Sequence, residues 1–140
     1  MRKYNNKSCS TAYNGRRYLF DSKAEMAHFI KLSQLLDKKK IAHLRLQPEF
    51  VIANAFKIGT NKTKSGKSKI GQLKYTPDFQ YVEDGKNVVV EVKGMKTTAY
   101  TMRFKMFLAI AYSKYKIDTF IEVTKGIQTI YDCASVRNEF

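Results

Sequence analysis

Residues 75–94, YTPDFQYVEDGKNVVVEVKG, place two carboxylates and a lysine in a segment that otherwise has the pattern of a β-hairpin. The Asp-Gly pair at residues 84–85 is a typical two-residue hairpin turn, and counting outward from it puts Asp78 directly opposite Glu91. Strand alternation then places Asp78, Glu91 and Lys93 on one face of the hairpin. The other face carries the apolar residues Phe79, Tyr81, Val88, Val90 and Val92.

The opposed carboxylates need a compensating charge. Directly paired side chains have Cβ atoms roughly 5 Å apart, and like charges at such a pair destabilise a sheet. A hard divalent cation bound between them would offset the repulsion, and Mg²⁺ accepts a few carboxylates with water completing an octahedron. The alternative is structural, because Lys93 alone could stabilise one of the acids as a salt-bridge partner.

The charge of the chain favours a polyanionic partner. The 140 residues carry 26 Lys and Arg against 12 Asp and Glu, a formal net charge of +14. Residues 1–20, 50–77 and 92–117 contain no acid and together hold 17 of those basic residues. A solvated lysine surface would explain the total charge, but acid-free blocks of this kind are more typical of nucleic-acid contact.

A membrane partner has no support in the sequence. The N-terminal MRKYNNKSCS lacks an apolar segment, and the longest apolar run, residues 106–112, is too short to cross a bilayer. We therefore expect a cytoplasmic protein. Cys9 and Cys133 show no metal-ligand spacing, so both are expected to be free thiols.

The order of predicted elements indicates an α/β fold. An Asn-Gly hairpin precedes a first helix that Ser22 caps, followed by strands, the hairpin of residues 75–94, a second helix that begins after Thr97 or Thr98, and a further strand. The apolar face expected for the first helix consists of Met26, Ala27, Ile30, Leu35 and Leu36. We predict one domain, residues 1–140, with a mixed central β-sheet flanked by helices.

Two basic segments stand out from this domain. Residues 1–17 are predicted to form a basic N-terminal arm, and residues 59–72, rich in Lys, Ser and Gly, a mobile loop. The second helix is apolar nearly all round, which a homodimer would explain.

The hairpin motif resembles the PD-(D/E)XK nuclease superfamily. Pro77-Asp78 is followed after twelve residues by Glu91-Val92-Lys93, which is similar to that signature. The element order α-β-β-β-α-β is similar to the restriction-endonuclease-like core of the superfamily. FDSKAE before the first helix, and LQPEF after it, resemble small phage-encoded endonucleases of the junction-resolving type, so the likeness covers most of residues 18–123.

The resemblance implies a role for each site residue. Asp78 and Glu91 would bind Mg²⁺, for which Mn²⁺ can substitute, with the backbone carbonyl of Val92 as a third ligand. Lys93 would orient or help to deprotonate the attacking water and stabilise charge on the phosphate. Glu25 would be a further acidic member of the site, although a capping box with Ser22 also explains it. Gln47, in LQPEF, is a weaker candidate for contact with the site or with the scissile phosphate.

The resulting expectation is a Mg²⁺-dependent endodeoxyribonuclease that hydrolyses DNA phosphodiester bonds. Branched DNA in phage replication or recombination would be one candidate substrate, in the cytoplasm of the host cell, and the preferred DNA structure stays open. The competing interpretation is a non-catalytic nucleic-acid-binding protein that keeps a nuclease fold. The residues expected to contact DNA are Lys62, Lys64, Lys67, Lys69, Lys96, Arg103 and Lys105.

Overall fold

The computed structural model describes residues 8–137, which form eleven strands, two α-helices and a short 3-10 helix. The strands are β1 (Cys9–Tyr13), β2 (Arg16–Phe20), β3 (Ala42–Leu46), β4 (Phe50–Ala53), β5 (Phe56–Gly59), β6 (Lys67–Ile70), β7 (Leu73–Tyr75), β8 (Phe79–Glu83), β9 (Lys86–Val92), β10 (Thr119–Thr124) and β11 (Ile127–Asp132). The helices are α1 (Lys23–Asp37), α2 (Thr98–Tyr115) and the 3-10 helix Cys133–Ser135.

The central sheet has five strands in the order β11-β10-β9-β8-β3. Strands β9 and β10 pair in parallel, whereas the other neighbours pair antiparallel. A parallel pair needs a long crossover, and α2 provides it between β9 and β10. The mixed sheet with its helices confirms the predicted α/β class.

Each face of the sheet has its own apolar core. Helix α1 and the β1–β2 hairpin cover one face, where Phe29 and Leu32 pack with Phe79 and Val90. Helix α2 covers the other face, where Phe107 packs with the neighbouring hydrophobic residues, Val89 and Phe120 among them. Because side chains alternate along β9, consecutive valines serve opposite cores.

Capping residues set the ends of the helices. Ser22 caps α1, since its hydroxyl accepts the amide N–H of Glu25 at 3.1 Å. Thr97 caps α2 in the same way through the amide of Tyr100, at 3.1 Å. Helix α2 ends at Lys116, which has the left-handed backbone conformation that often terminates helices. In residues 8–137, no helix is long and apolar enough to cross a membrane.

The structure refines two predictions about basic segments. Residues 59–72 are only in part a loop, because Phe56–Gly59 and Lys67–Ile70 pair as a two-stranded antiparallel ribbon whose turn is residues 60–66. Of the predicted arm 1–17, residues 1–7 lie outside the described residues, and residues 9–17 belong to the β1–β2 hairpin.

Candidate functional site

The predicted hairpin register is confirmed. Glu83 pairs with Lys86, and the ladder continues to the pair Phe79 and Val90. Asp78 is the residue just before β8, and its amide donates to the Val90 carbonyl at 3.1 Å. The ladder ends at that pair, so Asp78 lies just beyond it and its predicted pairing with Glu91 is not part of the regular strand register.

Asp78 is fixed by the backbone of the neighbouring strand. Its carboxylate Oδ2 accepts the amide N–H of Val92 at 2.7 Å. Its own carbonyl accepts the amide of Gln47 at 2.8 Å, so the end of β3 is tied to the start of β8. Val92 thus meets the site through its amide, and its carbonyl as a metal ligand stays a prediction.

Glu91 is buried beside Asp78 on the α2 face of the sheet. Tyr75, at the end of β7, donates its hydroxyl to Glu91 Oε1 at 2.7 Å. The Asp78 and Glu91 carboxyls lie close enough to influence each other's pKa. Burial, followed by the charge of Glu91, raises the pKa of Asp78. Burial likewise raises the pKa of Glu91, so the pair retains a proton more readily than exposed carboxyls would.

Glu25 joins this pair from helix α1. Its backbone amide contributes to the helix cap, whereas its carboxyl lies near that of Asp78. Burial is the main cause that raises the pKa of Glu25 to about 8, and the charges of Asp78 and then Asp21 add to it. The residue therefore lies at the cap and also in the acidic cluster.

Lys93 lies on the same face, two residues after Glu91. Its ammonium sits over the ring of Tyr100, 4.8 Å from the ring centroid. Its positive charge lowers the pKa values of Glu25, Asp78 and Glu91. The two salt bridges in the described part of the chain, Lys74–Glu49 and Lys96–Glu122, do not involve it. The simple interpretation of Lys93 as a salt-bridge partner is therefore not supported.

Sequence reasoning missed a second polar group that adjoins the carboxylates. Glu122 on β10 pairs with Glu91 across the parallel strands and is buried on the same face. Its Oε2 accepts the hydroxyl of Tyr100 at 2.5 Å, and its Oε1 forms a salt bridge with Lys96 at 2.9 Å. The alternation of side chains along residues 117–123, IDTFIEV, places Glu122 on the same face of the strand as Phe120. The sequence does not indicate which residues Glu122 contacts.

The acidic cluster lies in an open cleft of about 470 Å³. Basic residues occur at the cleft as well, since Lys74 and Arg103 line it and the Arg103 Nε donates to the Lys74 carbonyl at 3.2 Å. Gln47 also lines the cleft, in a left-handed backbone conformation with φ of 50°. The side chains that line the cleft include Asp21, Glu25, Gln47, Lys74, Tyr75, Asp78, Glu91, Lys93, Tyr100 and Arg103.

The other residues expected to contact DNA lie elsewhere. Lys105 is exposed on α2, and Lys96 is held by Glu122. Lys62 and Lys64 are in the turn of the β5–β6 ribbon, with Lys67 and Lys69 on its second strand, and all four are exposed. The structure thus brings Glu25, Asp78, Glu91 and Lys93 together and leaves these lysines outside the cleft.

The donor set suits a hard cation with few protein ligands. Within residues 8–137, no group of three or more His, Cys, Asp or Glu side chains has the arrangement of a complete metal site. Asp78 contacts both Glu25 and Glu91, however, and such a crowded set of buried acids is costly without a positive charge. Mg²⁺ binds through one or two carboxylates and retains several waters, so the residues present fit it.

Comparison with known proteins identifies a family for this chain but no protein of known function. No curated protein matches the chain. A solved structure described as "Crystal structure of SSO0001" is similar at 17% identity, with a TM-score of 0.35. That similarity covers 78% of this chain and 48% of the other, so the chain spans about half the length of that protein. A family model described as "Protein of unknown function (DUF1064)" matches residues 1–128, and the chain belongs to that family.

Proposed function

We propose that this protein is a metal-dependent endodeoxyribonuclease that hydrolyses DNA phosphodiester bonds in the cytoplasm, including those of branched DNA. The observation that carries the proposal is the convergence of Glu25, Asp78, Glu91 and Lys93 in one open cleft. A chain with a net charge of +14 attracts polyanions, yet it concentrates acids at this point. Carboxylates repel DNA, which is the expected ligand, so their presence at this point is best explained by a cation that they bind.

Two carboxylates would hold the metal ion. Asp78 and Glu91 would bind Mg²⁺, or Mn²⁺ in its place, with the Val92 carbonyl as a further ligand. The chemistry supplied by the ion is a water of lowered pKa and compensation of the negative charge that develops on the phosphate. The amide of Val92 and the hydroxyl of Tyr75 keep the two carboxylates oriented for this role.

Lys93 places a positively charged side chain of the protein itself in the site, in addition to the metal ion. Its ammonium is held over the Tyr100 ring and lines the cleft beside the acids. From there it donates a hydrogen bond to the attacking water or to a phosphate oxygen, which stabilises charge as the bond breaks. Lys74 and Arg103, also at the cleft, bind flanking phosphates and so place the scissile one.

The test combines metal dependence with matched variants. Plasmid or branched DNA should be cleaved with Mg²⁺ or Mn²⁺, and EDTA should abolish cleavage. Asp78→Asn and Lys93→Ala should each lower the rate by at least about 100-fold, because preorganised charge at the reacting phosphate is worth that much. Asp84→Asn, in the turn of the same hairpin, is the control and should cleave like the wild type.

Two outcomes would contradict the proposal. Robust cleavage in EDTA would exclude the metal mechanism, and full activity of Asp78→Asn would exclude the site. If the protein binds DNA but cleaves none with any divalent ion, the competing function as a non-catalytic DNA-binding protein is correct.

A further inference from the structure

The β5–β6 ribbon, residues 56–70, lies in the chain between β4 and β7, which pair antiparallel. It joins that pair at Ala53 and Leu73, and β7 continues from there to Lys74 and Tyr75 of the cleft. Strands β5 and β6 make their contacts chiefly with each other, and nearly all of their residues are exposed. Because a lone two-stranded ribbon is marginally stable in water, an exposed one on a folded domain needs a reason.

Strand pairing divides the ribbon into two unlike faces. Phe56 pairs with Ile70, and Ile58 is the next residue on their face. These three side chains are 53%, 42% and 51% exposed, respectively. The opposite face carries Lys57 paired with Lys69, and Lys67 beside them.

The lysine face identifies the class of partner. Lys57 and Lys69 are directly opposed, and like charges at such a pair destabilise a ribbon unless an anion lies between or over them. No acid occurs anywhere in residues 50–77, and the turn adds Lys62 and Lys64. A polyanion would compensate the positive charge of all these lysines, whereas a second copy of this chain would bring further positive charge to them.

The apolar face narrows the partner to DNA in which bases are accessible. A duplex buries the faces of its bases by stacking and presents only their edges in the grooves. Unpaired or unstacked bases expose apolar faces on which an aromatic side chain can stack, and burial of Phe56, Ile58 and Ile70 against them is favourable.

We propose that the ribbon binds DNA beside the cleft, with its lysine face on the phosphates and its apolar face against bases exposed where stacking is interrupted. This inference rests on the proposed nuclease function, and it assigns the preference for branched or unpaired DNA to a named surface. The lysine face supplies affinity for every DNA, and the apolar face supplies discrimination.

The experiment measures binding in EDTA, so that cleavage does not interfere, to a short duplex and to the same duplex with a few unpaired bases at its centre. Phe56→Thr/Ile58→Thr/Ile70→Thr keeps strand-forming residues and removes the apolar face. It should lose affinity for the interrupted duplex by roughly 5- to 150-fold, the value of one stacked base, and lose little for the intact duplex. The single variant Phe56→Thr should move in the same direction and guards against loss of the ribbon itself.

A second variant removes the lysine face. Lys57→Gln/Lys67→Gln/Lys69→Gln should weaken binding to both duplexes alike and flatten the slope of log K against log salt by up to about 2.7. Controls remove equivalent groups elsewhere: Leu19→Thr/Ile127→Thr/Ile130→Thr for exposed apolar residues, and Lys31→Gln/Lys38→Gln/Lys40→Gln for exposed lysines. Both controls should bind more nearly like the wild type.

Each failure has a distinct meaning. If the wild type cleaves DNA and the ribbon variants bind both duplexes normally, the ribbon proposal alone is wrong. If the wild type binds no DNA, the nuclease proposal fails as well. Equal losses of DNA affinity in the ribbon variants and in the controls would mean that the ribbon contributes only general charge and hydrophobicity. A dimer in sedimentation that the apolar variant converts to monomer would identify the face as a contact between copies.

Discussion

Glu25→Gln isolates the electrostatic cost of the acidic cluster without any need for DNA. The substitution keeps the shape of the side chain but removes its ability to ionise. Glu25 is only 8% exposed, and its carboxyl meets Asp78. The prediction concerns the free energy of unfolding as a function of pH, measured in EDTA.

The raised pKa of Glu25 sets both the sign and the magnitude. Because its pKa rises from 4.5 in the unfolded chain to about 8 in the fold, the folded protein holds an extra proton between those values. The stability supported by the neutral carboxyl is fully present below about pH 4.5 and is lost as the pH rises through about 8. Each pH unit in that window costs about 1.4 kcal/mol, so the upper bound is about 5 kcal/mol.

Urea unfolding of both proteins across that pH window is the assay. The wild type and Glu25→Gln should have similar unfolding free energies near pH 4.5, and the variant should be more stable near pH 8 by several kcal/mol. Adding Mg²⁺ should narrow the difference, since a cation favours the ionised carboxyls. Parallel stability curves for the two proteins, with a constant difference at all pH values, would refute the assignment of Glu25 to the buried acidic cluster.

Three further predictions concern packing around the site. Tyr100→Phe keeps the ring beneath Lys93 but loses the hydrogen bond to Glu122, so it should lower the unfolding free energy by about 1–3 kcal/mol and change the cleavage rate little. Tyr100→Leu also removes the ring and should slow cleavage further. Equal cleavage rates for the two variants would contradict the role of the ring. Lys96→Ala should lower the unfolding free energy only slightly, because the lysine is half-exposed, and an equal loss in high salt would argue against an ionic origin. Phe107→Ala should cost about 3–5 kcal/mol in urea unfolding, since the ring is fully buried, and a loss below 1 kcal/mol would mean that the core collapses around the gap.

The parts of the fold governed by local rules were predictable from the sequence. The Asp-Gly turn and the alternation of β8 and β9 determine which residues face each other, so the approach of Asp78 to Glu91 followed from counting. Ser22 and Thr97 were identifiable as caps because a short polar side chain precedes each helical pattern. The role of Lys93 in catalysis stays a prediction.

The parts that depend on tertiary contact were not predictable. Helix α1 buries Phe29 and Leu32, whereas Ala27 and Ile30, expected in its apolar face, are exposed. The choice among overlapping apolar stripes is made by the sheet that the helix meets, which the helix sequence does not encode.

The ribbon and the polar partners of the site were missed for a similar reason. The pairing of Lys57 with Lys69 joins a strand to a segment whose composition is typical of loops. Tyr75 and Tyr100 reach Glu91 and Glu122 from separate elements, and a tyrosine in an apolar run is indistinguishable from an ordinary core residue in the sequence.

The separation of the core into two clusters on opposite faces has a consequence for how the molecule opens. The clusters meet only across the central strands, so release of α1 with the β1–β2 hairpin can occur as a subglobal event while α2 stays docked. Such an opening removes Glu25 and leaves Asp78, Glu91, Lys93 and Tyr100 in place. Amide hydrogen exchange should therefore be slowest in β8, β9 and β10, and faster in α1. Glu25 is then the one acid of the cluster that can leave the site while the others stay in place. A ligand that binds all of these acids should therefore slow amide hydrogen exchange most in α1.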